Sequence, residues 1–243
     1  MIKNKMRLWL ILILVQVSVY SSAQFSNYTG DDKIIHFGFL LGMNTMDFGI
    51  TPSLQSIDGK VYQVDVSRLK PGFSVGIISD MQLNRYFNLR FTPTLHFGER
   101  ELSYSYSYSY IENDSVKGGG SVSVGSAPLC LPLYLKYSAE RYGDFRPYLI
   151  GGGGVGLDLG RDKEKPVYLK PLDVYLEFGV GCDIYFSFFK LAPELKFAIG
   201  GNNLFVPLEE REEVGTLSVD DRKYSLALKK LTSKVITLTF NFE

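Results

Sequence analysis

Histidine and cysteine are scarce in this 243-residue chain, at two residues each. His36 and His96 stand in no metal-ligand spacing and beside no recognisable nucleophile motif, so the sequence announces neither metal-dependent nor triad-type hydrolytic chemistry. Two cysteines are too few for a disulfide framework. Cys130 and Cys182 also fall on opposite faces of the segments that carry them, with another segment between, and a bridge needs Cα atoms within about 7 Å. Net charge is absent as well, 26 Lys+Arg balancing 26 Asp+Glu. That excludes the basic footprint of a nucleic-acid binder. Long apolar runs are missing beyond the N-terminus, and so is sustained helical periodicity. No later segment could cross a membrane as a helix, which takes about 20 apolar residues.

The first residues read as an export signal. Lys3, Lys5 and Arg7 form a basic start, Leu8 to Val19 an apolar stretch, and Ser21-Ser22-Ala23 a small-residue cleavage site, so residues 1–23 are expected to be removed. Their loss leaves 23 basic residues against 26 acidic ones, a mildly acidic exported chain. Residues 24–33 then form a periplasmic N-terminal segment, and 34–243 the single remaining domain.

What the chain has in abundance is alternation. Successive side chains of a strand point to opposite faces, so apolar residues at every second position mark strands with one apolar face. Ile35, Phe37, Phe39, Leu41 and Met43 alternate with His36, Gly38, Gly42 and Asn44. Phe73, Val75, Ile77 and Met81 oppose Ser74, Gly76 and Asp80; Leu89, Phe91, Leu95 and Phe97 oppose Arg90, Thr92, Thr94 and His96. The pattern returns over 129–137, 147–158, 172–183, 189–199 and 236–242.

Eight such segments of roughly 9–12 residues have the length a tilted strand needs to cross a bilayer. Their connections alternate long and short: 45–69, 98–127, 159–171 and 200–230 are long, while 82–87, 138–145 and 184–188 are tight. This predicts an all-β fold, an eight-stranded antiparallel transmembrane β-barrel of meander topology. Short periplasmic turns and long extracellular loops place it in the outer membrane of a Gram-negative envelope. A soluble sandwich would need a second apolar core, and the opposite face here is small or charged.

That opposite face should line the lumen. An eight-stranded barrel is filled by its own side chains, so His36, Arg90, Lys136, Arg146, Glu177, Glu194 and Lys196, with Asp80 and Asp183, are expected to form a self-neutralising polar network. No porin-like pore, catalytic residue, cofactor, metal or small-molecule substrate is expected. Gly151 to Gly156 contains a G-x-G-x-x-G match, but no helix pattern follows it, so phosphate cradling is unsupported. Glycines there are expected to relieve crowding, with Tyr134 and Tyr175 on the flanking strands filling the space.

The least ordinary stretch is Glu101 to Tyr110, ELSYSYSYSY. Its tyrosines are even-numbered, whereas the apolar residues up to Phe97 are odd, which predicts a bulge or break between Gly98 and Leu102. Beyond the bilayer, Tyr104, Tyr106, Tyr108 and Tyr110 would form an exposed apolar face, docked on a partner or else folded over the barrel mouth. Gly118 to Val124 should return beside it as a hairpin. Glu209 to Glu213 reads as solvated surface, and Ser218-Val219-Asp220-Asp221 as the start of a short helix closing near Lys229 and Lys230.

Pro132-Leu133-Tyr134-Leu135-Lys136-Tyr137, a short turn, and then Arg146-Pro147-Tyr148-Leu149-Ile150-Gly151-Gly152-Gly153 resemble the PorT family of small outer-membrane barrels. The likeness continues through Phe178-Gly179-Val180-Gly181, Glu194-Leu195-Lys196 and the closing segment from Leu231 to Phe242. The resemblance implies participation in type IX protein secretion as a non-enzymatic accessory or assembly factor, beside a separate, larger channel. Partners would then be outer-membrane lipid and other secretion-system proteins. No catalytic residues accompany the family. One departure is that Phe242, where barrel-insertion signals commonly end, is followed by Glu243. A stand-alone structural or adhesive barrel is the alternative.

Overall fold

In the computed structural model the described residues are 34–53, 56–57, 60–108, 120–160, 166–210 and 219–243. The expected signal peptide, the 24–33 segment, Tyr110, and the acidic run beyond Glu210 lie outside them.

Alternation produces strands wherever it was strict. In chain order they are β1 (Ile35–Pro52), β2 (Ser56–Ile57), β3 (Lys60–Leu69), β4 (Pro71–Gln82), β5 (Phe87–Phe91) and β6 (Thr94–Tyr108). There follow β7 (Ser121–Ser126), β8 (Pro128–Ser138), β9 (Phe145–Asp158), β10 (Leu172–Tyr185), β11 (Lys190–Gly200) and β12 (Leu228–Phe242), with an α-helix, α1 (Val219–Leu226), just before β12. β8 to β12 pair in sequence, β12 pairs with β1, and β1 pairs with β4, all antiparallel. β4 and β8 are joined through both β5 and β6, so the ring closes. It passes through eight wall positions. The expected count of eight therefore describes the ring and not the sheet, which has twelve strands.

Two causes separate the numbers. The third crossing is split at Thr92-Pro93: proline has no N–H to give the ladder, and the Pro93 carbonyl instead accepts from Ile77 N at 3.1 Å. The other cause is that two expected loops, 45–69 and 98–127, carry structure of their own. β1 and β6 run on past the ring, and β3 and β7 pair along the two edges of β6, with β2 beyond β3. The return of β7 beside β6 is the expected hairpin.

The expected break between Gly98 and Leu102 is absent. β6 is continuous, and its even residues face inward from Thr94 through Arg100 to Leu102 and Tyr104. The irregularity lies in its partner β3, between Val66 and Leu69. The pattern changed because the surroundings change. Within the ring the apolar face is outward, as for Phe37, Phe73, Leu133, Leu176 and Phe240, all exposed. Beyond the ring the interior itself becomes apolar: Phe48, Leu102, Tyr104, Val122, Leu169, Phe205 and Leu231 belong to one buried cluster that caps the long-loop end.

α1 begins where the sequence indicated but ends at Leu226, and Lys229 and Lys230 belong to β12. A closed sheet of this kind should keep its shape in dodecyl sulfate until boiled. The expected result is a faster-migrating band before heating than after, and identical migration would contradict the closed ring.

Candidate functional site: a charged plug in the barrel lumen

β4, β5, β8, β9, β10 and β11 each turn a charged or tyrosyl residue inward, and Glu243 follows β12, because on each strand the lipid-side parity is taken by apolar residues. Arg90 of β5 sits at the centre, fully buried. Its guanidinium reaches Asp80 on β4 at 2.6 Å, Glu243 at the end of β12 at 2.6 Å and Glu194 on β11 at 3.6 Å. Lys190 holds the other Glu243 oxygen at 2.7 Å, and Asn88 donates to Asp80. Five N–H donors on a planar, always-charged group suit Arg90 to bridging three carboxylates, which a lysine could not do in the same geometry.

Two further groups adjoin it. Lys136 on β8 donates to both oxygens of Asp183 on β10, at 2.9 and 2.7 Å. Its ammonium also lies 3.9 Å from the centroid of the Tyr148 ring. Lys196 lies 3.3 Å from Glu194 and 3.9 Å from Glu177. Tyr134 donates to Glu177 at 2.6 Å and Tyr148 to Glu194 at 2.8 Å. Four cations thus meet five carboxylates across the barrel, and every carboxylate has a cation or hydroxyl on it. Buried charges persist only when paired and hydrogen-bonded in this way.

Of the residues singled out from sequence, Arg90, Lys136, Glu177, Glu194 and Lys196 meet in this network. Arg146 does not. It donates to the carbonyls of Ala139 at 2.9 Å and Arg85 at 2.5 Å, tying two short turns together at the mouth. His36 lines a small polar recess at that mouth with Arg146, Lys136 and Asp183. Tyr104 is 2% exposed and packs against Tyr224, ring centroids 4.6 Å apart, so it is part of the cap and unavailable as a docking face. Tyr106 and Tyr108 pair by backbone with Tyr62 and Lys60. The network gains Tyr148, Lys190 and Glu243, which the list of expected lumen residues lacked. All three continue the inward parity of their strands, so the signal was there.

Glycines set the width. A Cβ on Gly152 would overlap the Leu133 carbonyl and lie 2.8 Å from Tyr134 Cα. The hydroxyl of Tyr175 fills the space at Gly154, at 2.8 Å, as expected; at Gly152 the neighbour is the backbone of Tyr134 and not its ring. Both cysteines are free.

Above the plug, Asn44 donates to Ser74 at 2.8 Å, and Ser74 Oγ lies 2.7 Å from His96 Nδ1. That is nucleophile-to-base distance, yet Ser74 is 2% exposed and does not line the adjoining cavity, so no substrate carbonyl could approach it. The trio ties β1, β4 and β6 together. The cavity, about 50 Å³, lies beneath the apolar cap among His96, Arg100, Cys130, Asp173 and Tyr175, with room for a few water molecules.

A match to a family model agrees with this architecture. The model of the family described as "Outer membrane protein beta-barrel domain" matches residues 22–206, more than half of the chain. No curated protein matches the sequence. Among solved structures, the crystal structure of the outer membrane protein OprG from Pseudomonas aeruginosa aligns over 85% of this chain and 93% of that one, at 12% identity and a TM-score of 0.46.

Proposed function

We propose that this chain, which belongs to the outer membrane protein β-barrel domain family, works as a non-enzymatic component of the type IX protein secretion machinery. It would be an accessory or assembly factor for export of secreted proteases and surface proteins, not the conduit. The observation that carries the reading is the lumen: Arg90, Lys136, Lys190 and Lys196 fill it together with their carboxylates. A barrel so filled has no room to pass a polypeptide, so a role in secretion must be exercised through its surfaces. The secretion role itself rests on the likeness of 131–156 to the PorT family.

Deleting the gene should strand cargo proteins in the periplasm, seen by fractionation and immunoblotting, with complementation restoring export. Correct export from the deletion strain would sink the proposal. In planar bilayers the purified barrel should show no porin-sized conductance.

The second reading, a stand-alone structural or adhesive barrel, draws support from the sheet of β2, β3, β6 and β7 raised beyond the ring. It predicts normal export and altered attachment in the same deletion strain.

A further inference from the structure

The outer face of the β12–β1 seam changes character at Lys234. Below it, Ile236 and Phe240 are exposed on the apolar wall. Lys234 itself is paired in register with exposed Ile199 on β11 and with Asp47 on β1. An exposed lysine beside an exposed isoleucine marks the level where hydrocarbon gives way to headgroups, and a lysine there extends its ammonium toward water. It does so here: Lys234 Cε and Nζ lie 3.3 and 3.8 Å from the place a Cβ would occupy on Gly49, two register pairs further from the apolar band. The Thr232 hydroxyl borders the same hollow and donates to the Gly49 carbonyl at 3.4 Å.

Above Thr232 comes a register shift. Thr51 pairs with Lys230 and Pro52 with Leu228, which leaves Lys229 as an extra residue on β12. A bulge re-aims side chains, and this one leaves two consecutive residues, Lys229 and Lys230, both exposed, where strict alternation would turn one inward. The seam therefore presents three ammonium groups and a hydroxyl in one strip, directly above apolar wall. The facing carboxylate, Asp47, accepts from Phe48 N at 2.6 Å.

We propose that this strip binds the phosphate of a phosphorylated glycolipid of the outer leaflet, its acyl chains lying on Ile236, Phe240 and Ile199. The inference rests on the outer-membrane reading with the long-loop end outward. Charge complementarity selects a phosphate, and the contiguous apolar wall selects one carried on a lipid over a free anion or an acidic peptide.

The test uses the full-length barrel folded in dodecyl maltoside and followed by native mass spectrometry with diphosphorylated lipid A. The wild type should retain this lipid and lose it when the same lipid is dephosphorylated. Combining Lys229→Gln, Lys230→Gln and Lys234→Gln should weaken retention by about tenfold or more, and arginine at the same three positions should keep it. Excess inorganic phosphate should not displace the lipid. Equal retention by the glutamine variant, indifference to the phosphates, or displacement by inorganic phosphate would each overturn the proposal. Heat-dependent gel mobility on the same samples reports the barrel separately, so loss of the fold is not mistaken for loss of the strip.

Discussion

Replacing Arg90 with leucine should lower the unfolding free energy of the barrel by about 3–5 kcal/mol, the range seen when one member of a buried ion cluster is removed. Arg90 contacts Asp80, Glu194 and Glu243, and none of these carboxylates is exposed enough for water to replace it. Glu243 would keep Lys190 and Glu194 would keep Lys196, so the main loss falls on Asp80, left with Asn88. Arg90→Lys should recover part of the stability, since one ammonium can meet one or two of the three partners. Urea titration of lipid-reconstituted protein, read by gel mobility, would measure both. If Arg90→Leu unfolds within 0.5 kcal/mol (roughly the range of neutral surface substitutions) of the wild type, the network is not holding the lumen. Asp80→Asn in the Arg90→Leu background should cost much less than in the wild type, because the carboxylate it removes has already lost its ion-pair partner.

A loss of stability should also follow from a change of three carbon atoms. Gly152→Val puts a Cβ against Leu133 and Tyr134 main chain, where the nearest atoms without side-chain freedom are at 2.8 and 3.0 Å or closer. Backbone cannot move aside as a side chain can, so β8 and β9 would have to part. The folding equilibrium constant from urea titration should fall at least about tenfold, the equivalent of roughly 1.4 kcal/mol or more. The neighbouring Gly151 faces outward with nothing within 4 Å of its Cβ position. Gly151→Val should therefore fold as the wild type does, within about 0.5 kcal/mol. Equal behaviour of the two variants would mean that the facing of β9 is misassigned.

The wall was legible because a membrane imposes one rule on every crossing: apolar residues outward, polar inward. Reading Phe37, Phe73, Leu133 and Phe178 as one face needed only parity, and all four are exposed. The same rule misread the tyrosines. Leu102 and Tyr104 lie beyond the bilayer, where water is outside and apolar groups belong inside. Their even numbers preserve the strand's facing while the solvent on each side is exchanged, which from sequence alone is indistinguishable from a bulge. The loops failed for a related reason. β3 and β7 gain stability from pairing with β6 and from the cap, neither of which is visible in their own sequences. Glu243 was legible by parity, but as the residue after an aromatic ending it drew attention as an exception to an insertion signal. Its side chain belongs to the lumen.

That placement bears on how the wall assembles. β12 is the strand that joins β11 to β1, and it delivers Glu243 to Arg90 and Lys190 across the interior. Before β12 docks, Lys190 is without the carboxylate it pairs with and Arg90 lacks one of its three. The final zippering of the seam and the pairing of Lys190 with Glu243 are one event, so partially closed forms are penalised by a lost ion pair as well as by their open edges. The cylinder should accordingly appear all at once, with few long-lived intermediates short of the last strand.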